Sequence, residues 1–333
     1  MLAVRLRHGT AARKKQAVAF LKKSSAKNFC AITRDLRIKV FCGAFLQKSD
    51  CLLSFKNLDN TLTDVRVQLN NQQGATMTIQ IAWITGAGSG LGHAVALALV
   101  AQGWTVAATA RTQADLIALA ALPEAQSRIF SFPGDVTDRA GLAAIAARIE
   151  SEIGPISLAF LSAGIYLPFG LEDFSAEKIE HLLRVNVIGV ANAIEAVLPA
   201  FRARNAGQIA VVSSLAQYRG MMRTAGYGAS KAALLAMCET LRLQTRKTGI
   251  KIQMMVPGYI QTRMTAKAPF PLPGIISAED AAEQAMAGLK TDAFEVLIPR
   301  KIVARVRRAR LLPSRLYFWY AARTPLFGGS RGA

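Results

Sequence analysis

The chain has 333 residues, 52% apolar and 19% charged, enough to bury a core and too few charges for a disordered chain. Its net charge of +20 sits at the ends: residues 1–76 carry +10, residues 300–333 carry +9, and residues 77–299 only +1. A globular nucleic-acid-binding domain carries its positive stripe on the folded body. No nucleic-acid partner is therefore expected.

Residues 1–76 show no sustained helical or strand period, and Met77 comes directly before the first strand pattern. They are expected to form a basic extension outside the folded body, the natural start being Met77. Gln73-Gly74 upstream can be encoded by a purine-rich ribosome-binding sequence. The alternatives are a transit peptide, since residues 1–34 hold no acid, or a real arm of unassigned role. Cys30, Cys42 and Cys51 lie in this piece, spaced by 12 and 9 residues without a neighbouring histidine, which fits no zinc pattern. Cys238 alone falls in the body, as suits a reducing compartment. No uninterrupted apolar run reaches the ~18 residues of a membrane span, and Lys14, Lys15, Lys22 and Lys23 break up any secretory signal. A cytoplasmic protein is expected.

From Met77 strand and helix patterns alternate. Strands are expected at 78–85, 105–110, 129–132, 158–162, 208–213, 250–256 and 294–298. Helices are expected at 91–101, 114–121, 138–152, 176–204 as one long stretch, 227–248 and 281–289. This order predicts one α/β domain over 77–299, a doubly wound Rossmann domain with a mostly parallel seven-stranded sheet.

The first strand runs into Thr85-Gly86-Ala87-Gly88-Ser89-Gly90-Leu91-Gly92, which opens a helix. Glycines there let the backbone turn tightly and approach a pyrophosphate held on the helix N-terminus. The end of the second strand, where a unit specific for NAD places a carboxylate, holds Ala110 followed by Arg111. A guanidinium without a competing carboxylate suits a 2′-phosphate, so NADP(H) is favoured over NAD(H).

Tyr227 and Lys231 stand four apart, on one helix face. A phenol titrates near ~10, and a neighbouring ammonium is expected to lower that value and make Tyr227 a usable acid/base. Ser213 and Ser214 end the preceding strand, at the sheet edge where ligands bind. A serine hydroxyl there can polarise a carbonyl. His93 and His181 have no metal-ligand spacing.

Together these motifs resemble the short-chain dehydrogenase/reductases in their ketone-reducing form, over roughly residues 78–299. The resemblance rests on the Thr85–Gly92 loop, Asp135-Val136, Ser162-Ala163-Gly164, Asn186, Ser214, Tyr227, Lys231 and Pro257-Gly258 with Thr262. It implies that Tyr227 exchanges the hydroxyl proton, that Lys231 lowers its pKa and bonds the nicotinamide ribose, and that Ser214 holds the substrate oxygen. The family's serine-to-tyrosine spacing selects Ser214 over Ser213. It further implies that Asn186 holds a water in the proton relay, that Asp135 bonds the adenine beside Val136, and that Thr262 reaches the carboxamide region. Pro257 and Gly258 would shape the nicotinamide pocket. Gly86, Ser89, Gly90, Leu91, Gly92, Arg111, Ala163 and Gly164 complete the cofactor site it implies. One departure is visible: Leu161-Ser162 stands where the family places two asparagines.

Specificity in that family comes from the segment after Pro257-Gly258. Here it holds Met264, Phe270, Leu272 and the prolines 269, 271 and 273. An apolar lid suggests an apolar ketone or aldehyde and its alcohol. The remaining alternatives are a cofactor-binding sensor without turnover, and an acyl-carrier-protein ketoreductase using Arg219 and Arg223 to receive an acidic carrier. A homodimer or homotetramer would be usual for the family. In the tail, basic residues over 300–310 precede Leu316-Tyr317-Phe318-Trp319-Tyr320. That composition suits a peripheral membrane contact through 300–320, at the inner membrane surface. A subunit contact and a tail folded over the substrate cleft are the competing readings.

Overall fold

The computed structural model describes residues 80–266 and 272–327. The expectations for residues 1–76, and for Phe270, Pro269 and Pro271 in the lid, lie outside the described residues. Seven strands form one parallel sheet in the order β3-β2-β1-β4-β5-β6-β7. They are β1 (Ile81–Thr85), β2 (Thr105–Thr109), β3 (Ile129–Ser131), β4 (Ile156–Leu161), β5 (Gly207–Val212), β6 (Ile250–Pro257) and β7 (Glu295–Ile298). The chain runs outward from β1 to β3, then returns to add β4 on the other side of β1. That reversal opens a crevice between β1 and β4 at the carboxyl ends of the strands, where ligands bind in such sheets.

Burial on both faces explains the nearly continuous apolar strands. All five residues of β1 and of β2 are buried. One face is covered by α1 (Gly90–Ala101), α2 (Gln113–Ala120) and α7 (Ala278–Leu289), whose alanines and leucines pack on Ile84, Ala108 and Phe160. The other is covered by α3 (Arg139–Glu152), α5 (Gly189–Arg204) and α6 (Ala225–Gln244), around Trp83, Phe201 and Leu234. Asp138 starts α3 by accepting the Gly141 N–H at 2.9 Å as its side-chain N-cap.

The stretch expected as a single helix over 176–204 is broken. An α-helical α4 (Ala176–Leu183) leads into a π-helical turn (Arg184–Ile188) before α5 begins. The wider turn inserts a residue into the helical repeat, and Asn186 at its centre is fully buried. Among the described residues Ala176–Arg204 alone is long and apolar enough to cross a membrane, and half of its most apolar window is buried within the fold. It is a core helix of this sheet.

The tail after β7 is folded. Helices α8 (Arg300–Ala309) and α9 (Ser314–Arg323) and a 3-10 turn (Pro325–Phe327) follow in sequence. Val303, Val306, Tyr317, Leu326 and Phe327 are buried in the same cluster as α5 and α6.

Candidate active site

The loop after β1 turns into α1 with no side-chain cap: the Ser89 hydroxyl takes no N–H of the first turn, and no acid sits there. The first N–H groups of α1 therefore remain available to an anion. Gly90 adopts φ +59, and a Cβ there would stand 2.9 Å from Thr262 Cγ2. The loop is thus open to a backbone-hugging ligand on one side and bounded by Thr262 on the other. These features fit the pyrophosphate of a nicotinamide dinucleotide.

Beside the loop lies a cavity of about 650 Å³ at the crevice between β1 and β4. Gly86, Ser89, Gly90, Leu91, Ala163, Gly164, Ser214, Tyr227, Lys231, Pro257, Gly258 and Thr262 all line it. Residues spread over 177 positions of sequence from Gly86 to Thr262 thus face one space.

Tyr227 and Lys231 project from the first turns of α6. The Lys231 ammonium sits 5.7 Å from the centre of the Tyr227 ring and donates to the Val212 carbonyl at 3.0 Å. Ser214 begins a 3-10 turn (Leu215–Gln217), where its hydroxyl accepts the Ala216 N–H at 3.3 Å. Asn186 reaches the same region from the π turn. Its side chain accepts the Ile165 N–H at 2.8 Å, donates to the Ile165 carbonyl at 3.0 Å, and donates to Ser230 Oγ at 3.1 Å. Asn186 therefore pins the chain after β4 to α6. Gly164 has to be small at this junction: a Cβ would lie 3.2 Å from Asn186 Oδ1 and 3.6 Å from Lys231 Nζ.

Electrostatics correct one expectation. Burial pushes the Tyr227 phenol up to about 12, with the Ser214 hydroxyl opposing and the Tyr166 phenol adding to the rise. Burial also lowers Lys231 to about 8. The expected lowering of Tyr227 by the ammonium is absent from this arrangement. The physical reason is that both groups are buried where charge is poorly solvated, which favours the neutral form of each.

Five expected site residues lie outside the cavity lining, Asn186 behind Gly164 among them. Gly92 packs beneath the loop against Gly86 and Ser162, and Val136 is buried under Gly189. Ser162, standing where the family has asparagine, thus supports the loop from below. Asp135 accepts from the Thr137 N–H and hydroxyl, both at 2.8 Å. Partial burial raises its pKa, but the Thr137 hydrogen bonds and then the charges of Arg111 and His181 outweigh that and hold it below its ordinary value. Arg111 is exposed, follows β2, and is close enough to Asp135 to act on it.

The structure adds walls that sequence patterns did not assign. Tyr166 packs edge-on against Tyr227, ring centres 5.0 Å apart, and its hydroxyl is buried without a partner among the described residues. Met221, Met222, Arg223, Tyr259 and Phe327 complete the outer end. Of the competing tail readings, the folded-over tail accounts for its inner side. The Met222 N–H donates to the Phe327 carbonyl at 3.0 Å, and the Tyr259 hydroxyl donates to the Leu326 carbonyl at 3.2 Å. Arg219 is consumed in this docking, donating to the Leu312 carbonyl and lying 4.4 Å from the Tyr317 ring centre. It is unavailable to receive an acidic carrier.

A parallel seven-stranded sheet with a glycine loop at its switch point and a Tyr-Lys pair in the adjoining cavity defines a Rossmann-type oxidoreductase. The family described as short chain dehydrogenase matches residues 80–270. An uncharacterized oxidoreductase of Myxococcus xanthus is 33% identical over 246 residues, spanning 73% of this chain and 96% of the relative. A 2,3-dihydro-2,3-dihydroxybenzoate dehydrogenase of Bacillus subtilis is 34% identical over 229 residues, 68% of this chain and 84% of that one. A short-chain dehydrogenase structure from Streptomyces avermitilis superposes with a TM-score of 0.65 at 25% identity, covering 73% of this chain and 96% of that chain. A short-chain dehydrogenase from Sphingobium yanoikuyae in complex with NADPH gives 0.62 at 26% identity, over 68% and 90%. The chain belongs to the short-chain dehydrogenase family and is an oxidoreductase.

Proposed function

We propose that this enzyme interconverts an apolar ketone or aldehyde and its alcohol, using NADP(H). The observation that carries the reading is the meeting of Ser214, Tyr227 and Lys231 in one cavity with the uncapped N-terminus of α1. When bound, the nicotinamide supplies or accepts the hydride.

The chain's own residues do the rest. Ser214 orients the substrate oxygen by hydrogen bonding. Tyr227 Oη gives a proton to that oxygen in reduction and takes it back in oxidation. A phenol held up near 12 stays protonated at neutral pH, ready to donate. Lys231 lies beside the ring, where its positive charge stabilises negative charge arising on Tyr227 Oη. Asn186 keeps the chain after β4 and the start of α6 in register, which fixes the space between Gly164 and Lys231. The Gly86–Leu91 loop, Ala163 and Thr262 bind the dinucleotide, with Asp135 and Val136 near its adenine end.

Arg111 supports the preference for NADP(H), because it makes no close ion pair among the described residues and acts on Asp135 only at longer range, whereas Asp115 is engaged by Arg263 at 3.2 Å. The apolar substrate is supported by Met221, Met222, Leu272 and Phe327 in the walls. Arg223 keeps a ketoreductase acting on a carrier-bound substrate as a second reading, since it alone of the two expected arginines reaches the cavity.

Consumption of NADPH and of NADH by the purified chain, across a panel of ketones and aldehydes, tests the reading. Turnover with NADPH that disappears in Tyr227→Phe, with cofactor binding retained, is expected. Binding of NADPH with no turnover of any carbonyl would favour the sensor instead.

A further inference from the structure

We propose that the outward side of the C-terminal helices is a docking surface for an anionic lipid membrane. This stands independently of the catalytic reading. Helix α9 buries Tyr317 to 1% exposure and sets Tyr320 and Ala321 against the core. Its opposite side reads Arg315, Phe318, Trp319, Ala322 and Arg323, residues spaced three and four apart and therefore on one helix face. Phe318 is 67% exposed and Trp319 56%, with Leu316 at 48% and Leu311 at 84% beside them. A surface helix of a soluble domain turns its polar side outward. This one turns aromatics outward.

The adjoining helix supplies charge. Helix α8 buries Val303 and Val306 and exposes Lys301, Arg305 and Arg308 along one side. Arg307 is held by Glu295 at 3.0 Å. Lys301, Arg305, Arg308, Arg310 and Arg315 pair with no acid among the described residues, and residues 300–333 contain no Asp or Glu. The Arg323 guanidinium lies 5.0 Å from the centre of the Trp319 ring, so a cation and an indole share one level of the surface.

This chemistry selects its partner. A second copy docked by a two-fold axis would press an all-cationic surface against itself, which like-charge repulsion opposes. Nucleic acid would use the cations and leave four large apolar side chains unexplained. An anionic bilayer uses both, with headgroup phosphates for the arginines and the interfacial layer for Trp319 and Phe318. The inner side of the same tail brings Phe327 to the cavity.

The test uses the full chain with vesicles of phosphatidylcholine alone and of phosphatidylcholine mixed with phosphatidylglycerol. Because residues 1–76 are themselves basic, the decisive comparison is with two tail variants, F318S/W319S and R305Q/R308Q/R315Q. All the substituted residues are exposed and outside the cavity lining. Sedimentation with the anionic vesicles only, reversed by salt, is expected for the native chain. The triple glutamine variant should partition about a hundredfold more weakly, roughly fivefold per cation. The double serine variant should lose at least about tenfold through its lost apolar contact. Native binding equal to that of both variants, or no binding at all, overturns the proposal. So does unchanged vesicle binding accompanied by a smaller oligomer in F318S/W319S, which would make this face a subunit contact.

Discussion

Replacing Lys231 by methionine should make the protein more stable while removing its activity. The ammonium is fully enclosed and burial lowers its pKa from 10.5 to about 8. At roughly 1.4 kcal/mol per pH unit, keeping it charged costs the fold about 3 kcal/mol below pH 8. Methionine fills a similar volume without that cost, but it abandons the 3.0 Å hydrogen bond to the Val212 carbonyl. Leaving that carbonyl unpaired takes back about 1 kcal/mol. The expected net gain at pH 7 is about 2 kcal/mol, or roughly 4–8 °C in Tm for a domain of this size. The sign with pH is fixed. Between pH 8 and 10.5 the unfolded chain holds the lysine proton more tightly than the folded one, so the native protein gains stability from this group as pH rises. Burial also raises Cys238 and Tyr227 to about 12 each, and those groups cost stability as pH climbs past 9 and 10. They are common to both proteins, so the difference between native and variant isolates Lys231. Urea unfolding at pH 7 and pH 10 measures it: the advantage of Lys231→Met should shrink as pH rises. A variant less stable than the native chain at pH 7, with a pH-independent gap, would refute the account of a strained buried ammonium.

Three further outcomes follow from the same geometry. Tyr166→Phe removes a buried hydroxyl that has no described partner, and should raise stability by about 1 kcal/mol in urea titrations. Phe327→Ala empties a side chain of 1% exposure at the cavity wall, and should cost about 3 kcal/mol. In a carbonyl panel the same variant should shift kcat/KM toward bulkier ketones. Arg111→Ala should raise KM for NADPH by about tenfold or more while leaving NADH nearly unaffected, as loss of a charge-assisted contact to a 2′-phosphate requires. Equal effects on both cofactors would show that Arg111 does not read that phosphate.

The sheet was legible because strands buried on both faces are written as short apolar runs, and each run here was bounded by turn residues. Ile81–Thr85 and Thr105–Thr109 were found within a few residues of their ends for that reason. The glycine loop and the Tyr227–Lys231 pair were legible because the constraint behind each is local, a turn and a helical repeat. Asn186 was placed on the right stretch, but the π turn that delivers it was hidden. One inserted residue shifts the apolar phase by about a hundred degrees at a single point, and a stretch this rich in apolar residues does not mark where the shift falls. The protonation states of Tyr227 and Lys231 were also out of reach, since desolvation is set by residues that only the fold brings together.

The tail shows most clearly what a composition-based reading loses. Arg, Lys and aromatics over 300–320 suit a membrane contact, a subunit contact or a tail folded over the cleft, as alternatives for the whole segment. In the structure one side of that segment is buried against the body and the other is exposed. Tyr317 and Phe327 stack edge-on at 5.5 Å inside the body, and the Tyr317 hydroxyl bonds the Gly220 carbonyl just upstream of Tyr227. Phe318 and Trp319, the next two residues after Tyr317, point the other way. A helix rotates its side chains by about a hundred degrees per residue, so neighbours in sequence are divided between core and surface. The same basic, aromatic composition therefore closes the substrate cavity with one side and leaves the other free to meet a charged interface. Truncation of the whole tail would confound the two. Single-face substitutions separate them, because losing Phe327 alters the cavity and losing Phe318 does not.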